Sequence, residues 1–275
     1  MIILSTAAHD CAAVYCFPLM TPTLSEPASA AAAAPNPASP PALFIRGLKY
    51  TYPRSEGDEV GVAPWTLSLT QLELARAEQM LLTASSGAGK STLLSLIAGL
   101  MDPASGSIEI DGQNIHALRG AARDRFRGAR VGVIFQTFNL LVGFSALENV
   151  MSALYFGGVP TKEHAPRARA LLQRLGIARE GALVERLSVG QQQRVAVARA
   201  LACRPALVLA DEPTASLDPE NAGVAMELVQ GVCREQGAAL LCVSHDPSMA
   251  ARFTRRESLA ELSSAPRIAD DRRLV

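Results

Sequence analysis

Aromatic side chains are scarce in this chain, 5% of 275 residues, and neither sign of charge is in excess: 26 Lys and Arg stand against 26 Asp and Glu. That balance excludes the broad basic field by which proteins hold nucleic acid, so no nucleic-acid partner is expected. Long apolar runs are missing too. No apolar stretch reaches the roughly 18–20 residues that a membrane-spanning helix requires, so a membrane role has to run through a partner. The five cysteines, Cys11, Cys16, Cys203, Cys233 and Cys242, fall in no C-x-x-C or Cys/His spacing, which argues against a zinc site or redox dithiol and suits reduced thiols. No secretory signal is expected, because the short apolar stretch at residues 12–20 follows His9 and Asp10 instead of lysine or arginine.

What is present is a 49% hydrophobic share, ample for the core of one large α/β domain or two small ones. Residues 1–41 read as a flexible leader, since 21–41 are mostly Ala, Pro, Ser and Thr and cannot bury enough apolar surface to offset ordering. Met20 offers an alternative start, which would make residues 1–19 an over-extension. Residues 42–262 read as the globular domain and 263–275 as a tail.

Within the domain, β-type segments are expected at residues 43–52, 66–74 and 79–83, followed by a glycine-rich turn and an apolar helix over 90–100. Further strands are expected at 107–111, 130–135, 206–210 and 239–243, the last two as continuous apolar runs of the kind a parallel sheet buries on both faces. Residues 137–203 look like an inserted helical subdomain. Ser145-x-x-Glu148 and Ser188-x-x-Gln191 match capping boxes inside it, and Asp218-Pro219 opens a helix through about Arg234.

The segment Ala84-Ser85-Ser86-Gly87-Ala88-Gly89-Lys90-Ser91-Thr92 nearly matches G-x-x-x-x-G-K-[ST], whose backbone N–H groups wrap phosphates while the lysine reaches the β and γ oxygens and the next hydroxyl meets Mg²⁺. Alanine replaces the first glycine, which is tolerated only where φ stays negative. The run Leu207-Val208-Leu209-Ala210-Asp211-Glu212 supplies a strand end with a carboxylate for Mg²⁺, Asp211, and a candidate general base, Glu212. Alone, two acids after an apolar run could be a solvated strand end. Paired with the phosphate loop they point to ATP. The remaining histidines, His9, His116 and His164, form no metal set and read as surface residues.

Shortly before that strand stands Leu187-Ser188-Val189-Gly190-Gln191-Gln192-Gln193-Arg194. With Gln136, Ser216-Leu217-Asp218 and His245, it makes residues 43–262 resemble the nucleotide-binding domain of ATP-binding-cassette (ABC) proteins, with each motif in order. The resemblance implies an α/β fold: a P-loop NTPase (RecA-like) core, an inserted α-helical subdomain and an antiparallel β subdomain. It also implies two copies sandwiching two ATP molecules, each site completed by the other copy's Ser188, Gly190 and Gln191. Tyr52 would stack on adenine, with Tyr50 as rival; Gln136 would sense Mg²⁺ and water; His245 would contact the γ-phosphate; Asp218 would lie at the dimer seam. Mg²⁺ would be met by Ser91, Gln136 and Asp211. The family usually has glycine where Val189 stands, and a positive φ there would strain the β-branched residue by about 1–2 kcal/mol.

Gly132-Val-Ile-Phe135-Gln136-Thr-Phe-Asn139-Leu-Leu141, Ala146-Leu-Glu-Asn149-Val150 and Ser244-His245-Asp246-Pro247 resemble the lipoprotein-releasing and macrolide-export group. That likeness implies an ATPase subunit on the inner face of the cell membrane, driving a separate permease, with importer or cell-division ATPases and soluble non-transport cassettes as alternatives. A P-loop kinase would leave the Ser188–Gln191 helix start, Gln136 and His245 unexplained.

Overall fold

Apolar residues alternate with polar ones in the strands near residues 43–51 and 66–74, whereas the runs at 207–210 and 239–243 are apolar throughout. The computed structural model, which describes residues 39–52, 65–85 and 87–263, sorts these two patterns into two sheets. Along the chain run β1 (Leu43–Thr51), β2 (Thr66–Leu74), β3 (Gln79–Thr83), α1 (Lys90–Ile97), β4 (Ser105–Ile110), β5 (Gln113–Asn114), α2 (Gly120–Arg130) and β6 (Val131–Ile134). Then follow α3 (Ala146–Phe156), α4 (Thr161–Arg174), α5 (Val189–Leu201), β7 (Leu207–Asp211), α6 (Pro219–Gln236), β8 (Ala239–Ser244), β9 (Arg255–Ser258) and α7 (Leu259–Leu262).

The antiparallel sheet has the order β2-β1-β4-β5. Its register places Ile45 opposite Leu72 on one side and Ile108 on the other, so one face is apolar. Between Arg46 and Lys49 the pairing with β4 slips by a residue. Gly47, at φ +57°, lies in that bulge, and after it Leu48 again points inward.

The second sheet, β6-β7-β8-β3-β9, is parallel at every pairing. Period-two alternation divides its side chains between two cores. Leu207, Leu209, Leu241 and Val243 join Leu93, Leu96 and Ile97 of α1 and the inner face of the antiparallel sheet. Val208, Ala210, Leu240 and Cys242 join Val150, Leu172, Val195 and Leu201 on the helical side. Each large aliphatic side chain so buried contributes about 1.5–3 kcal/mol. Because β6, β7, β8 and β3 are adjacent and parallel, their carboxyl ends lie side by side, bringing residues 84–92, 136, 211–212 and 245 to one edge.

Both expected capping boxes form, at Ser145 with Glu148 and at Ser188 with Gln191, and Asp218 caps α6 through the Asn221 N–H. The helix expected over residues 90–100 stops at Ile97, with Gly99 at φ +66° just beyond it. Nothing in the sequence reading anticipated α2, which buries no residue, or β9, whose residues Arg255 to Ser258 pair with β3. His164 is not a surface residue: it is buried in α4, its Nε2 2.7 Å from the Val159 carbonyl. His116 is half-buried, set between Asp102 and the Leu96 carbonyl. Among the described residues no helix is long and apolar enough to cross a membrane. The leader to residue 38, Met20 included, and the tail from 264 lie outside the described residues.

Candidate active site

The adjacent strand ends open onto a cavity of about 810 Å³. One wall is the turn after β3. Ala84 keeps out of the left-handed region, while Gly87 and Gly89 take φ of +75° and +92°. The alanine is therefore unstrained where the motif has glycine, and the left-handed bends fall on true glycines. Ser85, Gly87, Gly89, Lys90, Ser91 and Thr92 line the cavity. Ala88 packs toward the core, and Ser86 lies outside the described residues. Gly89 caps α1 with no side chain, leaving the first N–H groups of that helix to accept an anion. Lys90 Nζ donates to the Ala84 and Ser85 carbonyls at 3.2 and 3.3 Å and stands 3.8 Å from Glu212 Oε1.

The opposite wall comes from β7. Ser91 Oγ lies 3.2 Å from Asp211 Oδ2, so a hydroxyl and a carboxylate oxygen face the cavity together. Burial pushes the Asp211 carboxyl above its ordinary range and the Glu212 charge adds to this, against the Ser91 hydrogen bond and Lys90. That donor set fits Mg²⁺, which takes one or two protein oxygens together with substrate phosphates and water. Among the described residues no group of three or more His, Cys, Asp or Glu could hold a metal without such help.

Glu212 is 6% exposed and sits at φ +46°, a conformation that costs a residue with a Cβ about 1–2 kcal/mol. Its surroundings fix it there. Oε2 accepts from Ser244 Oγ at 2.8 Å, and Oε1 accepts from the His245 backbone N–H at 3.1 Å. His245 Nδ1 is 2.5 Å from the same Oε1; an ionised carboxylate only accepts, so Nδ1 carries the proton. Gln136, just beyond β6, reaches the cavity, and its carbonyl accepts from Ser216 Oγ at 3.2 Å.

Tyr52 and Trp65 complete the lining. The Tyr52 hydroxyl is 2.8 Å from Thr92 Oγ1, whereas Tyr50 packs on the core of the antiparallel sheet. Ser188, Gly190, Gln191 and Asp218 are not brought to this cavity. Ser188 and Val189 instead stand exposed at the start of α5. Val189 is helical and not left-handed, so the strain expected for it is absent.

Three further side chains, to which the sequence alone assigns no role, support this arrangement. Ser244 holds Glu212. From α5, Gln193 Nε2 donates to the Pro213 carbonyl at 2.6 Å, and Arg199 donates to the Phe138 and Asn139 carbonyls at 2.7 and 2.6 Å. Phe138 and Asn139 both have positive φ, +59° and +47°, so a single guanidinium secures two strained residues just after Gln136. One helix thus fastens both the Gln136 loop and the segment after Glu212. No facial pattern in α5 marks Gln193 and Arg199, because a six-residue spacing sets them about 120° apart around the helix.

Comparison with known proteins agrees with this geometry. A family model described as ABC transporter matches residues 67–215. The lipoprotein-releasing system ATP-binding protein LolD 1 of Caulobacter vibrioides is 44% identical over 192 residues, 69% of this chain and 82% of its own. The protein LolD of Pseudomonas fluorescens is 41% identical over 223 residues, 80% of this chain and 95% of its own. Among solved structures, the dimeric post-hydrolysis state of the ATP-binding cassette MJ0796 bound to ADP and Pi superposes with a TM-score of 0.66 at 31% identity, over 78% of this chain and 93% of that one. The cbiO1 structure from Clostridium perfringens, part of the ABC transporter complex cbiONQ, gives 0.63 at 29% identity, over 75% of this chain and 79% of that one. With its phosphate loop, its Asp211-Glu212 strand end and its helical α5 start all in family order, the chain belongs to the ABC transporter family of ATP-binding proteins.

Proposed function

We propose that this chain is the ATP-hydrolysing subunit of a lipoprotein-releasing type of transporter, working as an ATP-sandwich homodimer that drives a separate membrane permease from the cytoplasmic face. The observation that carries the reading is Glu212, buried and held by Ser244 and His245, facing Lys90, Ser91 and Asp211 across one cavity. Likeness to the LolD proteins supports the transporter class.

In this reading the loop N–H groups and Lys90 bind the triphosphate. Ser91 and Asp211, with Gln136 beside them, would hold Mg²⁺, which supplies charge neutralisation on the phosphate oxygens when bound. Glu212 takes a proton from water as its oxygen attacks the γ-phosphorus; the bond to the β,γ-bridging oxygen breaks, and ADP leaves. His245 holds Glu212 in place and contacts the γ-phosphate, and Tyr52 stacks on adenine. Ser188, Gly190 and Gln191 serve the second copy's ATP, which fits an exposed Ser188 and half-buried Gly190 and Gln191 at a helix start away from their own cavity. Asp218 lies at the seam between the two copies.

The loop after Gln136 exposes Leu141, Val142 and Phe144, apolar surface suited to a permease helix. A cysteine at Phe144 should crosslink to co-expressed permease. Absence of an adduct in every nucleotide state would remove the permease from the account and favour a soluble cassette.

A further inference from the structure

The chain contains one tryptophan, Trp65, and it lies in the cavity wall instead of a core, 38% exposed. Strand pairing puts it there. The Tyr52 N–H donates to the Trp65 carbonyl at 3.2 Å, which sets the two rings side by side, 5.7 Å between centroids and 51° between planes. Tyr52 is braced in turn by the edge of Tyr50 at 5.1 Å and by its hydroxyl contact with Thr92. The indole also lies over Gly89, where a Cβ would collide with it. A large apolar ring is thus held against an open cavity, between the expected base contact and the phosphate loop.

We propose that Trp65 is a base-contacting residue of this site: its indole and the Tyr52 ring form one angled aromatic wall against which the purine of ATP packs. The proposal rests on reading the cavity as an ATP site. Aromatic surface stacks with any base, and the purine covers more of a two-ring wall than a pyrimidine does. The wall therefore sets a preference for purine nucleotides, and ATP binding changes the surroundings of the only indole.

The test is equilibrium dialysis of labelled ATP against the full chain and its Trp65→Phe and Trp65→Ala variants, with GTP and CTP as competitors and wild-type tryptophan emission recorded in parallel. Wild type should bind ATP with a saturable emission change at the same Kd. Trp65→Ala should weaken ATP about tenfold and narrow the gap between GTP and CTP, while Trp65→Phe stays within about threefold. Unchanged wild-type emission on ATP binding, or unweakened ATP binding by Trp65→Ala, would overturn the proposal and leave the ATP site standing. Failure of wild type to bind ATP would remove both. The emission readout needs no variant, so it decides even where the alanine substitution unfolds the chain.

Discussion

His245 reaches Glu212 twice at one oxygen, through its backbone N–H at 3.1 Å and through Nδ1 at 2.5 Å, so the histidine fixes both the position and the rotamer of the carboxylate. Ser244 occupies the other oxygen. These bonds hold a buried acid at a left-handed φ, aimed at the phosphate loop.

Replacing His245 by alanine removes the side-chain bond and keeps the backbone one. We expect kcat for ATP hydrolysis to fall about 100-fold or more, within the range for displaced acid–base groups, with ATP affinity nearly unchanged. Steady-state kinetics beside a binding measurement checks this; a loss of ATP affinity with kcat unchanged would assign His245 to binding alone.

Asp211 makes a stability prediction with a defined sign. Its folded pKa is raised, chiefly by burial, so the folded state binds the proton more tightly than the unfolded chain does. The resulting destabilisation is absent below the ordinary aspartate pKa of about 3.9 and grows as pH rises toward the folded pKa, above which it is complete. Asp211→Asn should therefore raise Tm at pH 7, lose that gain below about pH 4, and abolish hydrolysis. Thermal melts across pH check the sign.

Arg199 donates to two carbonyls of strained residues while burial pushes its guanidinium down from its ordinary value. Arg199→Met leaves those carbonyls unpaired, and we expect about 2 kcal/mol less stability in urea unfolding. Arg199→Lys, able to serve one carbonyl at a time, should recover part of it.

Val189 carries the opposite expectation from the one its sequence position suggests. Because it is the first residue of a helix and not left-handed, Val189→Gly relieves no strain and should leave the free chain equally stable or up to about 1 kcal/mol less so. A rise in Tm would show that valine is strained after all.

Most elements of the fold were legible because local chemistry and tertiary burial agree in them. The apolar runs of β7 and β8 can only be buried strands, and Ser145, Ser188 and Asp218 cap helices where side-chain oxygens meet free N–H groups. The failures share a cause. Helix α2 buries no residue and so lacks an apolar stripe; β9 is held through its pairing with β3; and His164 is buried by tertiary packing that polarity alone does not reveal. In the site, the motif residues declared themselves through spacing. Trp65 and Arg199 did not, because their partners, Gly89 and the Phe138–Asn139 carbonyls, are distant in sequence and meet them only once the sheets and α5 are packed.

The most direct test is light scattering of Glu212→Gln with and without ATP. The account predicts a monomer mass without nucleotide and a doubled mass with ATP that persists, because the base that ends the closed state is gone. ATP binding with a mass that stays single, or a dimer that decays as ATP is consumed at the wild-type rate, would contradict it.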